Sequence, residues 1–260
     1  MVKGLNIFQE YFASYPNNYV IIGGTACDIL IEEAGFKPRA TKDIYIILIV
    51  EALNAEFVKQ FWQFIKDGNY ERKEESNDGR KYYRFTKPEN TNFPFQLELF
   101  SRTPDLLTLH EDAHLTPIPV DDDLSSLSAI LLSDDYYYFM ISHSMIEDGV
   151  HISNLEALIC LKAKAYLEIV DRIAKGSTED RKQLNKHKND VFRLAVMLSA
   201  DSSFELNENI KANMQAFVNM IADNLTSKTV LLEMGILNTE PTSIFQQIIN
   251  SFQLTSPVNK

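Results

Sequence analysis

Residues 43–50 read DIYIILIV, an almost unbroken run of β-branched and aliphatic side chains. The run has strand length, and it is apolar on both of its alternating faces. A strand of this kind has to be covered from both sides. The preceding sequence supplies a matching unit. NNYVII (17–22) is a second short apolar strand, closed by Gly23-Gly24, and TACDILIEEAG then reads as a helix. Thr25 sits near its start, Ala26, Ile29 and Leu30 share a face, and Gly35 stops it.

Further elements follow the same logic. Residues 5–14 form an amphipathic helix. NAEFVKQFWQFIKDG is another, with Phe57, Phe61, Phe64 and Ile65 at a 3–4 spacing and Gly68 at its end. NDGRK (77–81) carries a hairpin-turn signal, and KYYRF and PFQLELF read as paired strands. Residues 101–123 are loop-rich and carry the acidic run Asp121-Asp122-Asp123. The segment from Leu124 to Ile152 suggests short strands with turns at Ser133-Asp134 and Asp148-Gly149. From Ser153 the pattern is helical to the end. The first of these helices has an apolar stripe through Leu155, Leu158, Ile159, Lys162 and Tyr166. Helices over residues 179–200, 207–225 and 242–252 complete the chain. The expected organisation is an α/β half, 1–150, followed by a helical half, 151–260, an α+β protein overall.

Composition narrows the function classes. At 260 residues and 45% apolar content the chain can build a sizeable core. A net charge of −11 argues against a generic nucleic-acid-coating protein, whose affinity comes from neutralising phosphates. No apolar run approaches the roughly 20 residues of a membrane span. The N-terminal residues lack the apolar stretch of a signal peptide. The expectation is a cytoplasmic protein with no membrane association. Cys27 and Cys160 lie in apolar helical patterns and read as reduced, buried thiols.

The chemistry concentrates in the first half. A strand, a Gly-Gly turn and a helix present backbone N–H groups at a helix N-terminus, which attracts phosphates. In the next strand, Asp43 and Tyr45 project side by side, about 7 Å apart. In FQLELF, Gln96, Glu98 and Phe100 share a face. A carboxylate inside so apolar a strand needs a partner. For Glu98 the readings are a metal ion or a salt bridge to Arg39 or Arg84.

Taken in order, GGTACDIL, RATKDIYIILIV and FQLELF resemble the nucleotidyltransferase superfamily that includes DNA polymerase β, most of all its AbiEii-type toxin branch. The match covers about residues 20–100. It implies a mixed sheet with flanking helices, followed by a C-terminal helical domain. It also implies metal-dependent transfer of a nucleotide from a nucleoside triphosphate to an RNA (such as a tRNA) or protein acceptor, in a toxin–antitoxin setting with an antitoxin-like partner. By position, Gly23, Gly24 and Thr25 would cradle phosphate, while Asp43 and Glu98 would be metal ligands and catalytic carboxylates for Mg²⁺. Two divalent ions would carry the chemistry. In the second half, Lys162, Lys164 and Asp190 match looser motifs of the branch for nucleotide contact.

One position departs from the pattern. Where the family has a second carboxylate in its strand, this chain has Tyr45, and a phenol is a poor Mg²⁺ ligand. Metal binding would be weakened and transfer impaired. The alternative is a pseudo-enzyme that serves as a nucleotide-binding or protein-interaction module. Several residues carry two readings. Arg39 binds substrate phosphate or pairs with Asp43. Lys162 and Lys164 contact phosphate or lie on a solvated face. Asp190 belongs to the site or to a helix–helix salt bridge. Tyr136 to Phe139 form a base-stacking platform or a strand with one buried face. His110 and His114 are the closest histidine pair.

Overall fold

The computed structural model describes residues 2–75, 81–103, 115–117, 128–176 and 181–257. It divides into two compact units. One comprises Met1–Asp28 with Ala40–Asn154, and the other Ile29–Arg39 with Leu155–Lys260.

Among the described residues, the first unit is built on a mixed nine-stranded sheet. Its main path runs β3 (Glu71–Glu75), β4 (Lys81–Thr86), β5 (Gln96–Ser101), β2 (Asp43–Leu48), β1 (Tyr19–Ile22), β9 (Val150–Ser153) and β8 (Ser144–Glu147). β7 (Ser128–Leu131) joins β5 and also pairs with β6 (Leu115–Pro117). The apolar run lies at the centre, as its composition requires. β2 is antiparallel to β1 and parallel to β5, and Ile44, Ile46, Ile47 and Leu48 are wholly buried.

Helices α1 (Leu5–Phe12) and α3 (Ala55–Gly68) cover one face of this sheet with an aromatic layer. Phe8, Phe12, Phe57, Phe61 and Phe64 are all buried, and the rings of Phe8 and Phe12 pack at a tilt with centroids 4.6 Å apart. Phe61 meets Phe85 of β4 at 5.4 Å, edge to face. Such ring pairs add to the area they bury. The start of α3 is fixed by Asn54, whose Oδ1 accepts the Phe57 N–H at 2.8 Å. Asn54→Ala removes that acceptor and is expected to lower stability by about 1 kcal/mol in urea unfolding.

The 128–154 segment corrects the sequence reading at one point. Tyr136 to Phe139 lie on a helix, α4 (Asp134–Ser142), not on a strand. Aromatic residues favour strands, but Ser133 followed by Asp134 and Asp135 in the first turn is a helix start. The turn at Asp148-Gly149 is present, with positive φ at both residues, and joins β8 to β9. β4 pairs with β5, as KYYRF and PFQLELF predict, and β3 is antiparallel to β4, while residues 76–80 and the acidic run 121–123 lie outside the described residues.

The second unit is helical. Its members are α5 (Leu155–Ala174), α6 (Arg181–Ala195), α7 (Glu208–Ile221), α8 (Lys228–Glu233) and α9 (Pro241–Ser251). α5 packs against α6 and α7, and α6 also meets α8 and α9. Tyr166 of α5 meets Phe217 of α7 edge to face at 5.3 Å. The α8 helix was not legible in the sequence, being shorter than two turns. The segment leading from helix α2 (Gly23–Glu33) joins this unit, and the Lys37 N–H donates to the Met234 carbonyl at 3.3 Å. The whole is an α+β protein: a mixed sheet with flanking helices and a helical C-terminal part.

Candidate functional site

β1 runs straight into α2 at Gly23, whose φ of +72° is left-handed and favours glycine. A Cβ at Gly23 would stand 2.9 Å from Cδ2 of Tyr45, and one at Gly24 would stand 2.9 Å from the side chain of Thr41. The turn is therefore shielded by the two residues that sit in and before the DIYIILIV strand. Thr25 is wholly buried, and its hydroxyl donates to the Asp43 carbonyl at 2.6 Å. The Thr41 N–H donates to Oδ2 of Asp28, itself buried, at 2.9 Å. These bonds clamp residues 41–43 to the first turns of α2. They also commit the Thr25 hydroxyl, which the sequence placed at a phosphate.

The carboxylates are set by strand register. Tyr45 lies opposite Glu98 across β2 and β5, and Arg84 lies opposite Glu98 across β4 and β5. Tyr45, Glu98 and Arg84 thus form one row on one face of the sheet, at the usual spacing of about 4.8 Å between strands. Asp43 stands opposite Gln96, one alternation step further along. It is half-buried.

Glu98 is only 4% exposed. Of the two cations that the sequence offered it, Arg84 holds it. Arg84 Nε donates to Oε1 at 2.8 Å and a terminal guanidinium nitrogen reaches the same oxygen. Gln96 Nε2 approaches the other oxygen at 3.4 Å. Burial works against the Arg84 charge, but the hydrogen bonds and charge of Glu98 outweigh it and hold the guanidinium above its ordinary value. Tyr45 packs its ring 6.0 Å from that of Phe100 on the same face.

The donors in this row do not fit a pair of Mg²⁺ ions. Three hard carboxylates are needed, and the row with its neighbour Asp43 offers that carboxylate, a Glu98 already engaged by a guanidinium, and a phenol. Among the described residues, no group of three or more His, Cys, Asp or Glu is arranged to hold a metal ion.

The second-half candidates form a separate cluster inside the helical unit. Lys162 and Asp190 are both buried, and Lys162 Nζ donates to Asp190 Oδ2 at 2.9 Å. This is a salt bridge between α5 and α6, so Lys162 does not lie on a solvated face. Arg39 reaches the same Asp190 oxygen at 3.4 Å, and Arg193 lies 3.9 Å from the other. Burial alone would raise the Asp190 carboxyl. The charges of Lys162 and Arg39 and the Lys162 hydrogen bond more than offset it and hold the group below its ordinary value. His187, one turn away, is pushed down to about 4 by burial and by Lys162, so it is neutral. Lys164 is half-buried and pairs with Glu168 along α5.

Sequence reasoning missed another buried cation. Arg102 is 5% exposed and donates to Glu51 through Nε at 3.0 Å, while the Tyr137 hydroxyl donates to the other Glu51 oxygen at 2.6 Å. The partners lie at least 35 residues from one another along the chain, and no local pattern could have joined them. Of the aromatic run, Tyr138 alone is exposed, and Arg102 lies 5.4 Å from its ring centroid. Ser144 and His151, 2.7 Å apart, tie the β8–β9 hairpin to Ile141 and Pro16, whose carbonyls accept their other bonds. His110 and His114 lie outside the described residues. Cys27 and Cys160 are buried, with no disulfide between them. No described helix is long and apolar enough to cross a membrane.

No protein-family model matches the chain, and no curated protein sequence matches it. Among solved structures it is similar to the crystal structure of the Megavirus polyadenylate synthase, with a TM-score of 0.39 and 9% sequence identity. That alignment covers 85% of this chain and 36% of the viral one, so the chain spans about a third of that protein's length.

Proposed function

We propose that this chain is a nucleotidyltransferase-like protein whose transfer site has been rebuilt as a structural network, and that it acts as a non-catalytic module. Its role is to bind a nucleotide or a partner protein. The superfamily reading rests on the ordered strand, Gly-Gly turn, helix and Arg-x-Thr-x-Asp strand at residues 19–48. The observation that carries the loss of activity is the row Tyr45, Glu98, Arg84. One carboxylate position is a phenol that packs against Gly23, and the next is buried and neutralised. A two-ion transfer needs both free.

A second reading keeps residual metal-dependent transfer to an RNA or protein acceptor, as the AbiEii-type resemblance implies. It is favoured by Asp43, which is half-buried rather than enclosed and whose backbone is held to α2 by the Thr25 hydroxyl. One assay decides between the two. The protein is incubated with labelled nucleoside triphosphates, Mg²⁺ or Mn²⁺, and total RNA, and both RNA and protein are checked for label. The expected result is no label above background. Metal-dependent labelling that Asp43→Asn abolishes would overturn the pseudo-enzyme reading.

A further inference from the structure

The helical unit contains a cavity of about 240 Å³ lined by Lys37, Pro38, Arg39, Arg193, Glu233 and Met234. All six belong to the same compact unit. We propose that this cavity binds the phosphate group of a small phosphorylated ligand.

Three cationic side chains converge on it, two of them guanidinium forks, which match the oxygens of a phosphate better than an ammonium does. Arg193 is the anchor. Its side chain is 12% exposed, and one terminal nitrogen donates to Glu233 at 3.1 Å. Its Nε is buried and has no hydrogen-bond partner among the described residues. Lys37 is exposed and makes no side-chain ion pair among the described residues, so its ammonium is available at the mouth.

Glu233 gives the site its control. Among the described residues it is the only carboxylate lining the cavity, it sits on Arg193, and its side chain is 61% exposed. An exposed ion pair is weak and readily exchanged. A phosphate, carrying more charge and more acceptor oxygens than one carboxylate, can take Arg193 from it while Glu233 swings into solvent. The volume sets the ligand's size. It is below the about 300–1,000 Å³ typical of sites that enclose a whole drug-sized molecule, so a phosphate enters and the rest of the ligand stays at the mouth.

The test uses the full chain and calorimetric titration with inorganic phosphate, against chloride at matched ionic strength. Saturable phosphate binding is expected. Lys37→Gln should weaken it about threefold and Glu233→Gln should tighten it about threefold, the effect of one charge at a partly solvated site. Both side chains are exposed, so neither change threatens the fold. Titration with ATP in the absence of divalent ions separates the sources. Tighter binding than phosphate, with the same dependence on Lys37 and Glu233, identifies a phosphorylated small molecule, and equal binding identifies free phosphate. No saturable phosphate heat, or phosphate binding unchanged in both variants, would overturn the proposal. The cavity lies wholly in the helical unit, so this outcome does not depend on the transfer assay.

Discussion

Replacing Lys162 with Met lowers stability by about 3 kcal/mol in urea unfolding at neutral pH. The reason is what the change leaves behind. Asp190 remains 4% exposed, with its closest cation gone. Stranding one partner of a buried pair typically costs about 3–5 kcal/mol. The lower end applies because Arg39 and Arg193 remain at 3.4 and 3.9 Å from the carboxylate. A double variant, Lys162→Met with Asp190→Leu, recovers most of the loss, since the pair as a whole is nearly neutral against an apolar replacement of similar volume. The pH dependence has a definite sign. Asp190 is held below its ordinary value of 3.8, so its contribution is complete above that value and fades as pH falls below it. Asp190→Asn cannot titrate and should lack that part of the acid slope. A loss under about 1 kcal/mol for Lys162→Met would mean that the pair is not closed as described.

The same residues show how far the sequence could be read. Lys162 falls on the apolar stripe of its helix, between Ile159 and Tyr166. A lysine there has to be paired or to reach water, and the period of α5 decides no more than that. The pairing with Asp190 bridges 28 positions and depends on how α5 and α6 cross. The central strand was legible because its composition admits one answer. The α4 helix was not, because four aromatic and apolar residues in a row satisfy a strand and a helix alike, and only the acidic first turn favours the helix. Register is a further limit. Alternation put Asp43 with Tyr45, and Gln96 with Glu98, on common faces. It could not say that Glu98 would stand opposite Tyr45 and Arg84, which follows from strand pairing. Arg84 therefore emerged as the partner of Glu98 only once the sheet order was known.

Arg84→Met tests the row itself, and the expected loss is about 2 kcal/mol. Glu98 is 5% exposed at its side chain, but Arg84 is 32% exposed, so water screens part of the interaction and the loss falls short of a fully buried pair. Glu98→Gln in the same background returns most of it, because a neutral amide needs no counter-charge and still meets Gln96. The variant has a second use. If positions 43, 45 and 98 descend from metal-ligand positions, releasing Glu98 and supplying the missing carboxylate should recreate a cation site. The double variant Arg84→Met, Tyr45→Asp is then expected to gain stability with Mg²⁺, by about 1.4 kcal/mol at a concentration about ten times its Kd. The unaltered protein should gain nothing under the same conditions, and Asp43→Asn should remove the gain from the variant. Tyr45→Asp by itself should respond less, because the guanidinium still occupies Glu98. The order of these responses separates the effect of Tyr45 from that of Arg84. If Mg²⁺ affects every variant equally, the row is only a structural ion pair beside a tyrosine, and the likeness of residues 19–48 to a nucleotidyltransferase strand–turn–helix is one of topology alone.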